Sequence, residues 1–268
     1  MKAALILTHA LAVAPLFVGC AADTEEKTNE AEEDLGTSLL VASLNIQEGR
    51  DAGGHASLTR QIACLRAVNA DIVMLQESAL PGDERAVHAG NQNNATAIAN
   101  ALGMRFEGTA ETADTPGTGA SLRLHYGVAI LWKPTLHLNA TNAYVPARGL
   151  RNGIQWIDVP VGGHTLHLFD GHIHTTSPRY EEANLVKAHA PDPVHTVVMG
   201  DLNGHHDQIG TVVMGAGHFR SHFYPQTAAG SAFDAVVTGA NVTVTSLRKI
   251  CAGTTDHPWG LAARFTVQ

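Results

Sequence analysis

Apolar residues fall in short runs separated by polar, Gly- or Pro-containing segments. Leu39–Ile46 is one such run of strand length, and Asp71–Gln76 (DIVMLQ) is a second. Between them, Ser57–Val68 spaces Leu58, Ile62, Leu65 and Val68 along one helical face. Asn94–Leu102 has a helical pattern that Gly103 stops. Gly108–Gly119, rich in Thr, Gly and Ala, reads as a surface loop. Further strands are predicted over Tyr126–Trp132, which Pro134 ends, and over Leu136–Tyr144, Gly153–Val161, His164–Phe169 and Thr196–Met199. A helix is predicted from Pro178 to His189. Late strands are Ala232–Thr238, Val242–Leu247 and Leu261–Val267. Nothing from Leu39 to Gln268 looks like a repeat or a linker, so 39–268 reads as one layered domain of α/β (α+β) class.

The first residues follow a different pattern. Met1-Lys2 precedes an apolar run, Ala3–Val18, which is shorter than the about 20 residues of a membrane span. A basic start, a short apolar core and small residues describe a signal peptide over 1–19. Leu16-Phe17-Val18-Gly19-Cys20 resembles a bacterial lipobox, which implies lipid attachment at Cys20 and anchoring to the cell envelope, facing outside the cytoplasm. Ordinary cleavage near Ala21 and secretion is the other reading. The acidic, polar stretch that follows to Ser38 is too poor in apolar residues to offset its ordering entropy and reads as a tether, 20–38 in all, with a short amphipathic helix as the other reading. Cys64 and Cys251 are far apart in sequence and are expected to be free, buried thiols.

The formal net charge of −8 works against tight binding to a polyanion, although a bound cation reverses the field locally. Aromatic residues make up only 5%, so the core must rest on Val, Ile, Leu and Ala. His residues number 16, and position must decide which of them do chemistry.

Acids, amides and His gather at predicted strand ends: Asn45, Glu77, His172, Asp201 with Asn203, Asp234, and Asp256 with His257. Strands of shared sense would bring these ends to one rim, where α/β proteins bind ligands. Oxygen ligands suit a hard cation. A His beside a buried Asp keeps a fixed tautomer. Most of these residues, taken singly, are ordinary turn or cap residues, but an Asp within an apolar strand, such as Asp234, is costly without a partner.

Their order resembles the endonuclease/exonuclease/phosphatase superfamily, over about Leu39 to Phe265. Ser43-Leu44-Asn45-Ile46 resembles its first motif and Asp71–Glu77 its second. Tyr126–Leu131 resembles its central Gly-containing strand. Gly171-His172-Ile173-His174 stands where the family has Thr-His-Leu-Asp. Gly200-Asp201-Leu202-Asn203 and Thr254-Thr255-Asp256-His257-Pro258 match its two most specific motifs. The resemblance implies a four-layer sandwich of two packed mixed sheets flanked by helices. It also implies Mg²⁺ or Mn²⁺ at Glu77, Asn45 and Asp256, with Zn²⁺ a further option. Asp201 and the Asp234–His257 pair would activate or orient water, and Asn203 and His172 would contact the phosphate. The chain departs from the pattern at Gln47, where many nucleases carry an acid, at Gly171 and at His174. His205-His206-Asp207 reads either as a softer ligand set favouring Mn²⁺ or Zn²⁺, or as a solvated loop.

The activity implied is hydrolysis of phosphate esters by a monomer. A phosphodiesterase or nuclease comes first, acting on nucleic acid or a small diester. A phospholipid-headgroup or inositol-phosphate hydrolase is the alternative, favoured by the anchor but lacking an aromatic-rich hairpin for a bilayer. A non-catalytic binding module ranks last, because no core position is missing. Arg148, Arg151 and Arg179 are the candidates for phosphate recognition.

Overall fold

Strands covered on both faces need no polar alternation, and the apolar runs of this chain follow from that arrangement. The computed structural model describes residues 38–84, 93–115, 122–146, 151–173, 179–226 and 232–268. The signal peptide, Cys20, all of the tether but Ser38, Arg148 and His174 lie outside them, and Arg179 enters as the first residue of a helix.

One sheet holds seven strands: β1 (Leu39–Asn45), β2 (Ile72–Ala79), β3 (Arg105–Phe106), β4 (Ala110–Thr115), β5 (Leu124–Trp132), β12 (Val242–Ile250) and β13 (Gly260–Val267). Its main order is β12-β13-β1-β2-β5-β3, with β4 also on β5. The second holds six: β6 (Ala140–Pro146), β7 (Arg151–Val161), β8 (His164–His172), β9 (Thr196–Asp201), β10 (Phe219–Phe223) and β11 (Asp234–Gly239), in the order β10-β11-β9-β8-β7-β6. Helices α1 (Leu58–Val68) and α2 (Asn94–Leu102) cover the first sheet, and α3 (Arg179–His189) and α4 (His206–Met214) cover the second.

Three apolar clusters lie between the resulting four layers. Val41, Met74, Ile130 and Trp132 meet Ile157, Leu168, Val197 and Met199 between the sheets. Ala42, Leu44, Val73 and Leu75 point the other way, onto Leu65 of α1 and Ile98 of α2. Phe169, Val198 and Val237 meet Val186, Ile209 and Val213 of α3 and α4. Each fully buried Leu, Ile or Val contributes about 1.5–3 kcal/mol relative to exposure.

Most predicted elements are present, with shifts at their ends, and α2 stops at Gly103 in the left-handed conformation (φ 68°) that glycine adopts without strain. Four expectations are corrected. Ala110–Thr115 is a strand, not a loop: only pairing with β5 makes it one, and a Cβ on Gly127 would lie 2.1 Å from Ala110 O. The strand expected from Leu136 starts at Ala140, after a 3-10 turn over Pro134–Leu136. Helix α4 and strand β10 have no counterpart in the reading of the sequence. Gly210 obscures α4, and it is needed because a Cβ there would lie 2.3 Å from the Phe219 ring. Finally, Cys64 and Cys251 form a disulfide with Cα atoms 5.4 Å apart, because α1 packs beside the end of β12.

Asp170 of β8 is fully buried and accepts from Gln76 Nε2 of β2 at 2.6 Å, a polar link between the sheets. Burial pushes its carboxyl well above the ordinary range, outweighing the hydrogen bonds from Gln76 and the backbone. A raised carboxyl pKa in the folded state stabilises below the unfolded value of about 3.9, and that stability is lost as pH rises toward the folded value. Asp170→Asn is therefore expected to flatten the fall of Tm from about pH 4 upward and to raise Tm at pH 8. Thermal melts across that range check this, and a variant whose pH profile runs parallel to wild type would refute it.

Candidate active site

Each sheet has one parallel pair of central strands that ends at a shared rim. In the first sheet β1 runs parallel to β2, with Asn45 opposite Gln76. In the second, β8 runs parallel to β9, with His172 opposite Asp201. Strand β11 runs antiparallel to β9 and begins there, placing Asp234 opposite Asp201. The rims meet directly: Asn45 Nδ2 donates to Asp201 Oδ2 at 3.0 Å and to Glu77 Oε1 at 3.2 Å.

Glu77 reaches this rim through a bulge. Leu75 pairs with Ala129 and Ser78 with Gly127, so Gln76 and Glu77 stand against one partner residue. Glu77 has φ 49°, a strained value for a residue with a side chain, of a kind that clusters at functional sites. The bulge lets Gln76 stay between the sheets while Glu77 turns to the rim, where its Oε1 lies 3.8 Å from His172 Nε2.

Asp201 is the centre of the group. It is 2% exposed, and its Oδ2 lies 3.6 Å from His172 Nε2 and 3.5 Å from His257 Nε2. His257 is held from behind by Asp234, whose Oδ2 is 2.9 Å from Nδ1. Burial lowers the His257 pKa, but the bond to Asp234 and the charges of Asp201, Asp234 and Asp256 outweigh it and push it up to about 10. Burial raises Asp234 and His257 pulls it down. We place the shared proton on His257, because carboxylates face both of its ring nitrogens.

Gln226, which carried no signal in the sequence, supports Asp234. Its Oε1 accepts from the backbone N–H of Phe233 and Asp234, at 2.6 and 2.9 Å, while its Nε2 donates to Asp234 Oδ2 at 2.8 Å. Two rings flank the imidazoles: Tyr126 lies 5.9 Å from His172 and Phe233 5.5 Å from His257, centroid to centroid.

The Gly200–Asn203 turn has structural reasons for its residues. Gly200 has φ 150°, and a Cβ on it would lie 2.1 Å from Gly171 O. Gly171, where the family has Thr, would itself bring a Cβ 2.9 Å from the Leu202 side chain. Asn203 has φ 48°; its N–H donates to Asp201 Oδ1 at 3.1 Å and its Nδ2 to Ile173 O at 2.8 Å. It thus ties the turn to the end of β8. His206 is buried against Phe223, at 4.4 Å between ring centroids, and burial lowers its pKa, so it is a packing residue rather than part of a solvated loop. Asp256 is exposed on the turn before His257, on which its charge acts.

The donor set suits a hard divalent cation, because two carboxylates open on the same Asn45 amide. Asn45 turns its Nδ2 toward them and accepts from Gln47 N–H with Oδ1 at 3.0 Å. Among the described residues, a separate group of acids and His has ligand atoms within 4.8 Å of one another: Glu111, Asp114 and His125. Arg123 already pairs with Asp114 there at 2.8 Å.

Solved structures share this architecture. An endonuclease/exonuclease/phosphatase protein from Beutenbergia cavernae matches with a TM-score of 0.67 and 18% identity, over 86% of this chain and 72% of that one. D. rerio TDP2, complexed with a single-strand DNA product, matches with 0.56 and 16%, over 86% and 99%. ANGEL2, a 2',3'-cyclic phosphatase in complex with adenosine-2',3'-vanadate, matches with 0.55 and 14%, over 86% and 96%. At these identities the likeness is one of fold. No curated protein matches the sequence. The sequence does fit the profile of one family over residues 42–262, from β1 to β13, a span that holds every residue of the rim: the chain belongs to the Endonuclease/Exonuclease/phosphatase family.

Proposed function

We propose that the protein is a divalent-metal-dependent phosphodiesterase of the bacterial cell envelope, exported by residues 1–19 and anchored through Cys20. The observation that carries the activity is the buried Asp201 carboxylate, with an amide and two imidazoles turned toward it from both sheets. Glu77, with Asn45 and Asp256 beside it, would hold a divalent ion, which would supply charge neutralisation to the phosphate. Asp201 takes the proton of the attacking water. His257 is assigned the other role, because the carboxylates of Asp234, Asp201 and Asp256 around it favour its protonated form and push its pKa up to about 10. Its imidazolium, fixed by Asp234, and His172 face the charge that grows on the phosphoryl oxygens. Asn203 keeps the Asp201 turn against β8. Water attacks phosphorus in line with the ester oxygen, which leaves as an alkoxide when the P–O bond breaks and takes up a proton from solvent. The Cys64–Cys251 disulfide supports export, because such bonds persist in oxidising compartments.

The test is a substrate panel for the purified protein with Mg²⁺, Mn²⁺ or Zn²⁺: bis-p-nitrophenyl phosphate, plasmid DNA, sphingomyelin and an inositol phosphate. Diester cleavage is expected with added metal and none in EDTA. Failure on every substrate with every ion would remove the catalytic reading and favour a binding module.

A further inference from the structure

Helix α1 carries an amide into the core. Gln61 is fully buried on the same face as Leu65 and Val68, where the sequence pattern calls for an apolar residue. Its Nε2 lies 3.0 Å from Ile46 O, 3.2 Å from Arg50 O and 2.9 Å from Thr254 O. The first two carbonyls bracket the turn that follows Asn45. That turn is strained: Gln47 and Glu48 have φ of 45° and 49°, and such residues persist only where their surroundings over-determine them. The third carbonyl precedes Asp256 and His257 by two and three residues.

The N-cap of α1 and a further position on the helix grip the same two segments. One turn earlier, Ser57 N–H donates to Gly49 O at 2.7 Å and Ser57 Oγ to Thr254 O at 2.6 Å. Nearly one turn later, Cys64 is bonded to Cys251. The two held segments meet at the rim, where Asn45 Nδ2 lies 3.5 Å from His257 Nε2. A Met at position 61 would fill a similar volume and leave no unsatisfied polar atom of its own, whereas Gln61 leaves its Oε1 without a partner. The amide is therefore explained by the carbonyls it joins rather than by packing.

We propose that Gln61 is a positioning residue: its amide locks the turn after Asn45 to the turn before His257 and so sets the placing of these two groups about Asp201. The hydrolytic part of this rests on the function proposed above; the clamp itself rests on geometry alone.

The test compares Gln61→Met, Ser57→Ala and wild type in the full chain, with Val186→Ala as a control. Val186 is buried on the inner face of α3, so the control lowers Tm without touching either turn. Backbone hydrogen exchange and the kinetics of bis-p-nitrophenyl phosphate hydrolysis are measured on all four. Gln61→Met is expected to speed exchange over 46–50 and 252–257 together and to lower kcat by about tenfold or more, with KM within about threefold, as displaced catalytic groups do. Ser57→Ala speeds exchange over 252–257, lowers kcat less, and carries the test alone if Gln61→Met does not fold. Exchange at the wild-type rate in both segments overturns the clamp. A kcat loss no larger than that of Val186→Ala overturns the positioning role alone. A wild-type protein that hydrolyses nothing overturns the function proposed above and the positioning role with it, while exchange still decides whether the clamp exists.

Discussion

Asp201→Asn is expected to lower kcat on a phosphodiester by about 10³-fold or more while the protein stays folded, a loss of roughly 4 kcal/mol of transition-state stabilisation. The substitution preserves shape. Asn203 N–H can still donate to the Oδ1 position, and the turn keeps its bond to Ile173 O. What disappears is the charge, and with it the Oδ2 acceptor of the Asn45 amide. Asp201 is 2% exposed, so its carboxylate acts where water does not screen it, on His257 Nε2 at 3.5 Å and His172 Nε2 at 3.6 Å. The neutral amide cannot take a proton from water, and it also removes one of the charges that hold the His257 pKa up. KM should change little if the loss lies in the chemical step. A variant that keeps more than about a tenth of wild-type kcat, with circular dichroism and Tm unchanged, would show that Asp201 is not the proton acceptor.

The second large effect concerns stability. Cys64→Ser/Cys251→Ser is expected to cost about 2–5 kcal/mol, toward the upper end because the bond joins residues 187 apart. On the chain-entropy account, a longer closed loop leaves the unfolded chain more freedom to lose. For a protein of this size that corresponds to a fall in Tm of roughly 5–15 °C. Thermal unfolding of the variant, and of wild type with and without reductant, measures it. Oxidised and reduced wild type melting within about 1 °C of each other would show that the bond contributes nothing to stability.

The disulfide marks where reading along the chain stops. Two Cys so distant say nothing of their Cα separation, which depends on where α1 lies against the end of β12. Strand β4 was hidden for a similar reason. Its Thr, Glu and Asp residues show no hydrophobic pattern, and what makes it a strand is its backbone pairing with β5, where Gly127 leaves room for Ala110. Gln61 and Gln226 were missed because a Gln in a helix or loop is unremarkable until the carbonyls and N–H groups around it are seen. Asp170 escaped because the neighbouring strand looked apolar enough without it.

The groups that the structure brings to this rim stood out in the sequence, and the reason is physical. Asn45, Glu77, His172 and Asp201 follow apolar runs, where a polar residue stands out, Asp234 begins one, and His257 stands in a polar turn before the last strand. Their order along the chain resembles one family's motifs, and the architecture follows from it. The sequence by itself therefore determined the layered fold, the family and the list of chemical groups, because apolar periodicity and motif order are local properties. Only the tertiary structure decided which group faces which: that Asn45 spans Glu77 and Asp201, that three carboxylates hold a proton on His257, and that one buried helix face grips both turns. Those are distances across two sheets and between residues far apart in the chain, set by packing that no stretch of sequence records.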